Sequence, residues 1–283
     1  MPNVREGYLT ANGLSFHYLA DGPQDGPLAL LLHGFPEFSY SWRHQLPVLA
    51  ARGLHAVAPD LRGYHLSDKP GGVAAYDIDL LADDVVGWMD ALGAPRAHVI
   101  GHDWGGAVAW HVAMKHPDRV GKLAVLDCPH PALLARALVR NRAQRRRSWY
   151  MFFFQVPFVP ERRLAGQAMR GWIAGWGGRL AESDLNRYVE AFPDATALTG
   201  PINYYRAAFR RWPGMIRHKP PRVPVPTLQI WGADDRILGQ ELLNGLERFV
   251  TGPLRIEIVG GAGHFVQQDA PAEVNRLLTE FLC

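Results

Sequence analysis

The sequence predicts an α/β fold: a mainly parallel sheet with helices on both faces and one helical segment inserted late in the chain. Three observations predict it. Short apolar runs alternate with stretches of helical spacing, which is the pattern of strand–helix units. Several of those runs are apolar at every position, as strands buried on both faces must be. The alternation breaks once, between Asp127 and Lys219.

The elements follow in order. Residues 8–11 and 14–20 flank Asn12-Gly13, a pair that favours the tight turn of a β-hairpin. Residues 28–32, Leu-Ala-Leu-Leu-Leu, read as a buried strand that runs straight into His33-Gly34-Phe35-Pro36. Residues 55–58 form a second such strand, ending in Pro59-Asp60. Leu81, Val85, Trp88, Met89 and Leu92 recur at helical spacing in a segment that begins at Ile78 and stops at Gly93. Residues 97–100 are a third buried strand, followed at once by Gly101-His102-Asp103-Trp104-Gly105-Gly106 and a helix to about Lys115. Residues 123–126, 227–231 and 254–259 supply the remaining strands.

Residues 128–219 contain no β-like run. They carry Arg142-Ala143-Gln144-Arg145-Arg146-Arg147, a cluster of aromatics, the loop-like Gly175-Trp176-Gly177-Gly178 and helical patterns. This segment reads as a helical cap, or lid, over the strand ends where α/β sheets place their sites. Residues 1–127 and 220–283 then form the core. The arginine run reads as the solvated face of a lid helix.

Composition narrows the class. The chain has 283 residues, suited to one large domain or a domain with an insertion. With 48% hydrophobic and 20% charged residues, disordered and fibrous classes are excluded. A net charge of +3 leaves no overall electrostatic footprint for nucleic acid. The two cysteines, Cys128 and Cys283, make neither a disulfide framework nor a CxxC metal site, so no metal or cofactor is expected. The N-terminal residues lack the pattern of a secretory signal. The longest apolar run, residues 150–159, is broken by Gln155 and Pro157 and falls short of the ~20 residues that span a bilayer. The expected setting is cytoplasmic, with neither a membrane nor a nucleic acid as partner.

The richest segment is Gly101-His102-Asp103-Trp104-Gly105. It has the strand–turn–helix context and the paired glycines of a nucleophile elbow, with Asp103 at the nucleophile position. An aspartate there changes the chemistry. Serine attacking a saturated carbon would leave an ether that water does not cleave, whereas a carboxylate leaves an ester that it does. Asp103 therefore points to displacement at an sp³ carbon, with an epoxide or alkyl halide as electrophile. His264, just after the last strand, is the candidate base. Asp235, just after the strand before it, is the candidate acid, with Asp234 and Asp127 as alternatives. The backbone N–H groups of Phe35 and Trp104 are the candidate oxyanion hole.

Together these segments closely resemble the epoxide hydrolases of the α/β-hydrolase superfamily. The resemblance is carried by His33-Gly34-Phe35-Pro36-Glu37, Ser41-Trp42-Arg43, Asp60-Leu61-Arg62-Gly63-Tyr64, the Asp103 elbow and Gly200-Pro201-Ile202-Asn203-Tyr204-Tyr205-Arg206. It covers nearly the whole chain. It implies an α/β-hydrolase fold with an eight-stranded sheet and a cis Phe35–Pro36 bond. It also implies two lid tyrosines, Tyr150 and Tyr205, that bind and protonate the epoxide oxygen, with Tyr204 as the alternative to Tyr205. Trp104, Trp149, Phe153 and Phe154 are expected to bind substrate. The aromatics of the insertion favour an apolar epoxide, with water as the second reactant.

Dehalogenases are the nearest alternative. Trp104 matches the halide-binding Trp of haloalkane dehalogenases, but those enzymes usually carry Asn where this chain has Phe35. Haloacetate dehalogenases share an Asp at position 127, yet Trp104 and Ala107 stand where they place arginines. A non-catalytic ligand-binding protein would be marked by loss of Asp103, His264 or Asp235, and all three are present.

Overall fold

The computed structural model describes residues 3–217 and 220–283, so His218 and Lys219 lie outside the described residues. Within them the strands form one eight-stranded sheet. These are β1 (Arg5–Ala11), β2 (Leu14–Asp21), β3 (Leu28–Leu32), β4 (His55–Pro59), β5 (Ala97–His102), β6 (Val120–Leu126), β7 (Thr227–Gly232) and β8 (Leu254–Val259). Their order is β1-β2-β4-β3-β5-β6-β7-β8. β1 and β2 form the expected hairpin, with Asn12 and Gly13 at φ 52° and 76°, as its tight turn requires. From β4 to β8 every pairing is parallel.

Alternation along the central strands divides the core into two layers. Leu30, Leu32, Val57, Val99 and Val125 face one way, onto α2 (Ile78–Ala91) and α3 (Trp104–Lys115). Ala29, Leu31, Ala56, Ile100 and Leu126 face the other, onto α1 (Leu46–Ala50) and α12 (Pro271–Leu282), which follows α11 (Val266–Asp269). β8 is a half-exposed edge strand rather than a continuously buried one.

Between β6 and β7 the elements that the described residues form are helices, apart from a single β-bridge at Val223: α4 (Pro131–Arg140), α5 (Arg142–Arg147), α6 (Trp149–Phe153), α7 (Val159–Leu164), α8 (Ala168–Gly175), α9 (Glu182–Ala191) and α10 (Ala195–Arg217). Among the described residues no helix is long and apolar enough to cross a membrane.

One consequence of the strand order positions the site. The chain leaves β3 toward β4 on one side and leaves β5 toward β6 on the other. The carboxyl ends of β3 and β5 therefore flank a crevice, the switch point at which open α/β sheets bind ligands.

Candidate active site

Asp103 stands in that crevice, in the turn from β5 into α3. Its backbone is at φ 47°, ψ −117°, a conformation that non-glycine residues rarely adopt and that is stored mainly at functional sites. The turn is possible because its neighbours lack side chains. A Cβ on Gly105 would strike the carbonyls of Leu32 and His33, and one on Gly34 would strike Asp103 itself. The close approach of β3 and the elbow brings the Phe35 N–H to Asp103 Oδ1 at 2.8 Å. The Phe35–Pro36 bond is cis, as the resemblance implied.

His264 lies on the other carboxylate oxygen, with Nε2 at 3.5 Å from Asp103 Oδ2. Its Nδ1 is 2.8 Å from Asp235 Oδ2. Asp235 Oδ1 accepts the Ile237 and Leu238 N–H groups at 2.7 and 2.9 Å, which fixes the carboxylate and leaves Oδ2 for the imidazole. Burial alone would strip His264 of its proton. The two flanking carboxylates outweigh burial and hold its pKa well above the usual imidazole value. Burial likewise opposes the charge of Asp103, but His264 holds that carboxyl below its usual range. The His264 imidazole therefore lies in a row between the carboxyl groups of Asp103 and Asp235.

The alternative acids are placed differently. Asp234 is exposed. Asp127 is buried at φ 42°; its Oδ1 accepts the Gly232 N–H at 2.7 Å, and its Oδ2 has no hydrogen-bond partner. Burial, with Asp235 close by, pushes its pKa well above the carboxylate range, which favours the uncharged acid at Asp127.

A buried polar network that sequence reasoning missed lies behind these groups. Glu37 Oε2 is 2.7 Å from His102 Nδ1 and accepts the Gly34 N–H at 3.1 Å. Glu37 Oε1 accepts Gln267 Nε2 at 3.0 Å and Gln268 Nε2 at 2.6 Å. His102 Nε2 is 2.7 Å from the backbone oxygen of His264. The elbow, the β3 loop and the base are thus tied to one another. A signal was present: Glu37 and His102 are polar residues inside motifs whose neighbours must be buried.

Tyr150 and Tyr205 enter from the insertion, both buried, with ring centroids 5.9 Å apart. The Tyr205 ring stands 5.0 Å from that of Trp104 and 5.5 Å from that of Phe35. Burial, then the charge of Asp103, raises both phenols well above their usual pKa, so both keep the proton a donor needs. Tyr204 is committed elsewhere, donating to the Arg62 carbonyl at 2.8 Å.

A cavity of about 610 Å³ opens from Asp103 and is walled by Trp104, Cys128, Leu138, Phe152 and Tyr205 among others. Phe154 supports it from behind, edge-on to Tyr205 at 4.8 Å and to Phe35 at 5.4 Å. Trp149 and Phe153 depart from expectation. They pack against Trp172 at 5.7 and 6.1 Å and are absent from the cavity wall, with Trp149 53% exposed. Helical phase is the reason: Tyr150 and Phe154, four apart, share the inner face, which turns Trp149 outward. Among the described residues no group of three or more His, Cys, Asp or Glu side chains is placed to hold a metal ion.

The chain is similar to known proteins over nearly its whole length. A family model described as the alpha/beta hydrolase fold matches residues 27–271. The chain is 39% identical over 287 residues to the AB hydrolase superfamily protein YfhM of Bacillus subtilis, covering 100% of this chain and 99% of that one. It is 40% identical over 282 residues to epoxide hydrolase 4 of Mus musculus, covering 96% of this chain and 77% of the relative. Among solved structures, an epoxide hydrolase of Bacillus megaterium in complex with an inhibitor aligns with a TM-score of 0.87 and 33% identity. That alignment covers 98% of this chain and 99% of the other.

Proposed function

The chain belongs to the α/β-hydrolase fold family and is an epoxide hydrolase, and we propose that it works through a covalent ester on Asp103. Asp103 Oδ2 attacks a ring carbon of the epoxide while Oδ1 stays on the Phe35 N–H. The C–O bond breaks, and the released oxygen takes a proton from Tyr150 or Tyr205. Esterification removes one of the two carboxylates that hold the His264 proton. That proton then replaces the one given up by the tyrosines, and His264 becomes a base. It deprotonates a water that attacks Asp103 Cγ. The oxyanion formed on Oδ1 is held by the Phe35 and Trp104 N–H groups, and collapse expels the diol with the former Oδ2. Asp235 keeps the imidazole aligned throughout.

The observation that carries this reading is the arrangement around Asp103. One oxygen is held by a backbone donor, the other faces an imidazolium, and two buried, protonated phenols stand nearby. Phenols suit an oxygen that stays bonded to carbon and needs a proton. A departing halide needs N–H donors instead, and Phe35 offers none from its side chain. The insertion, residues 128–219, acts as a cap: Phe154, Trp176 and Tyr205 close on Phe35 and keep bulk water from the ester.

One experiment tests the chemistry. In a single turnover of styrene oxide in ¹⁸O water, label is expected in the Asp103 carboxylate, because the diol takes its oxygen from the enzyme. His264→Gln is expected to stop at one equivalent of adduct on the Asp103 peptide. Label found first in the diol, with Asp103 unlabelled, would establish direct hydration and overturn the covalent reading.

A further inference from the structure

The net charge of +3 conceals a division of the chain. Residues 128–219 hold 16 Lys and Arg against 5 Asp and Glu, a net of +11, while the rest hold 14 against 22, a net of −8. Asymmetry of this size between parts of one chain is a mark of contact with an anionic surface.

Five of these cations, Arg142, Arg145, Arg146, Arg162 and Arg163, stand exposed within one stretch of 22 residues that also exposes large apolar side chains. α5 and α6 follow each other with only Ser148 between them. Arg142, Arg145, Arg146, Trp149, Phe152 and Val156, at spacings mostly of three or four, are exposed, whereas Gln144, Ser148 and Tyr150 are buried. Arg145 reaches back to α4, donating to the Val139 carbonyl at 3.3 Å. Exposed Phe158, Val159, Arg162 and Arg163 continue beyond Val156. Arg142, Arg146, Arg162 and Arg163 have no carboxylate partner among the described residues. Phe158 is 72% exposed and sits at φ 63°, so neither packing nor backbone preference accounts for a phenylalanine there. A run of exposed apolar side chains in a rim of charge marks an interaction site.

We propose that this face of the insertion docks on an anionic lipid surface. Arginines interleaved with Trp, Phe and Val side chains are what an element lying in the headgroup layer needs. The guanidinium groups meet phosphates and carboxylates, and the apolar side chains enter the acyl boundary. Nucleic acid would satisfy the arginines but has no use for Val156 and Val159. The cavity adds an independent reason for lipid. Phe152 belongs both to the exposed face and to the cavity wall, with Met151 and Gln155 beside it. An apolar molecule dissolved in the bilayer would thus meet the enzyme at the wall of its site. Docking needs no spanning segment, so the expectation of no membrane partner, which rests on the absence of one, gives way to a peripheral contact.

The inference is independent of the ester chemistry at Asp103 and is tested by vesicle flotation. The parent is expected to float with vesicles of phosphatidylcholine mixed with phosphatidylserine, to stay behind with phosphatidylcholine alone, and to detach as salt rises. Each basic residue near such a surface is worth roughly a fivefold change in partitioning, so Arg142→Gln/Arg145→Gln/Arg146→Gln together should lower it on the order of a hundredfold. Phe158→Asn, which suits the left-handed backbone, should lower it several-fold with all charges in place. Both variants should hydrolyse a water-soluble epoxide at the parental rate, which verifies their fold. Failure of the parent to float, equal flotation with both vesicle types, or variants that float like the parent would overturn the proposal. Binding to a short DNA duplex without flotation would overturn it in favour of a nucleic-acid contact.

Discussion

Glu37→Gln is the substitution that most directly tests how the site is held. The carboxylate is fully buried and is held by four residues: His102 at 2.7 Å, Gly34 at 3.1 Å, Gln267 at 3.0 and 3.3 Å and Gln268 at 2.6 Å. An amide keeps the shape but turns one oxygen into a donor that faces other donors, and it leaves His102 without its counter-ion. Removing one partner of a buried pair costs about 3–5 kcal/mol, against a total stability of roughly 5–15 kcal/mol. At about 2–4 °C per kcal/mol the melting temperature should fall by roughly 10 °C. The pH dependence is diagnostic. Burial opposes both charges, yet the pairing lowers the pKa of Glu37 and raises that of His102. The Glu37 contribution is lost as pH falls through its lowered value. The His102 contribution is present at low pH and lost as pH rises through its raised value. The gap between parent and variant should therefore be widest between those limits and close on either side. Because Glu37 also holds the Gly34 N–H next to Phe35, the folded variant should lose up to about 10²-fold in kcat, as when an oxyanion donor is displaced. Urea and thermal denaturation across pH, with kcat below the transition, give all three quantities. A cost under about 1 kcal/mol, or a gap that ignores pH, would refute a charged Glu37–His102 pair.

Two further outcomes follow from the site. Asp235→Asn should slow hydrolysis of a preformed adduct by about 10³–10⁴-fold, whereas Asp127→Asn, an amide in place of an uncharged acid, should change it less than tenfold. Single-turnover rates of the two variants decide it, and the reverse ranking would make Asp127 the working acid. Tyr150→Phe and Tyr205→Phe should each slow alkylation moderately, and the double variant by about 10²–10⁴-fold, with adduct hydrolysis nearly unchanged. Stopped-flow tryptophan fluorescence separates the two phases, and a double variant that alkylates at the parental rate would remove the tyrosines from the reaction.

The parts of the site visible in the sequence are those whose geometry is set within a few residues. Asp103 is legible because its glycines and strand–turn–helix context are contiguous, and His264 and Asp235 because each follows a strand directly. The Glu37–His102 pair is not. Its members stand 65 residues apart, and only the adjacency of β3 and β5 brings them together. Trp149 and Phe153 show a different limit. A short aromatic run announces a helix against the site, but which rings face inward depends on phase, and α6 is too short to display a period. The central strands β3 to β7 were readable because buried parallel strands are continuously apolar, and β1 and β2 because Asn12-Gly13 marks the turn between them. The half-exposed edge positions of β1 and β8, by contrast, depend on strand order, which no local pattern carries.

Two of the attachments between the helices that follow β6 and the rest of the chain respond differently to salt. At α9, Asp184 receives Arg43 at 2.7 Å and Tyr40 at 2.9 Å, and the Tyr188 hydroxyl accepts from Gln268, which leads directly to Glu37. At α10, Arg211 pairs with Asp77 and Asp79, all three part-exposed, at the far end of the cavity. The first attachment is largely sheltered from dissolved ions and the second is open to them. Raising ionic strength therefore weakens the Arg211 pairs far more than the Asp184 contacts, while the buried bond from Tyr204 to the Arg62 carbonyl continues to hold α10 to the sheet.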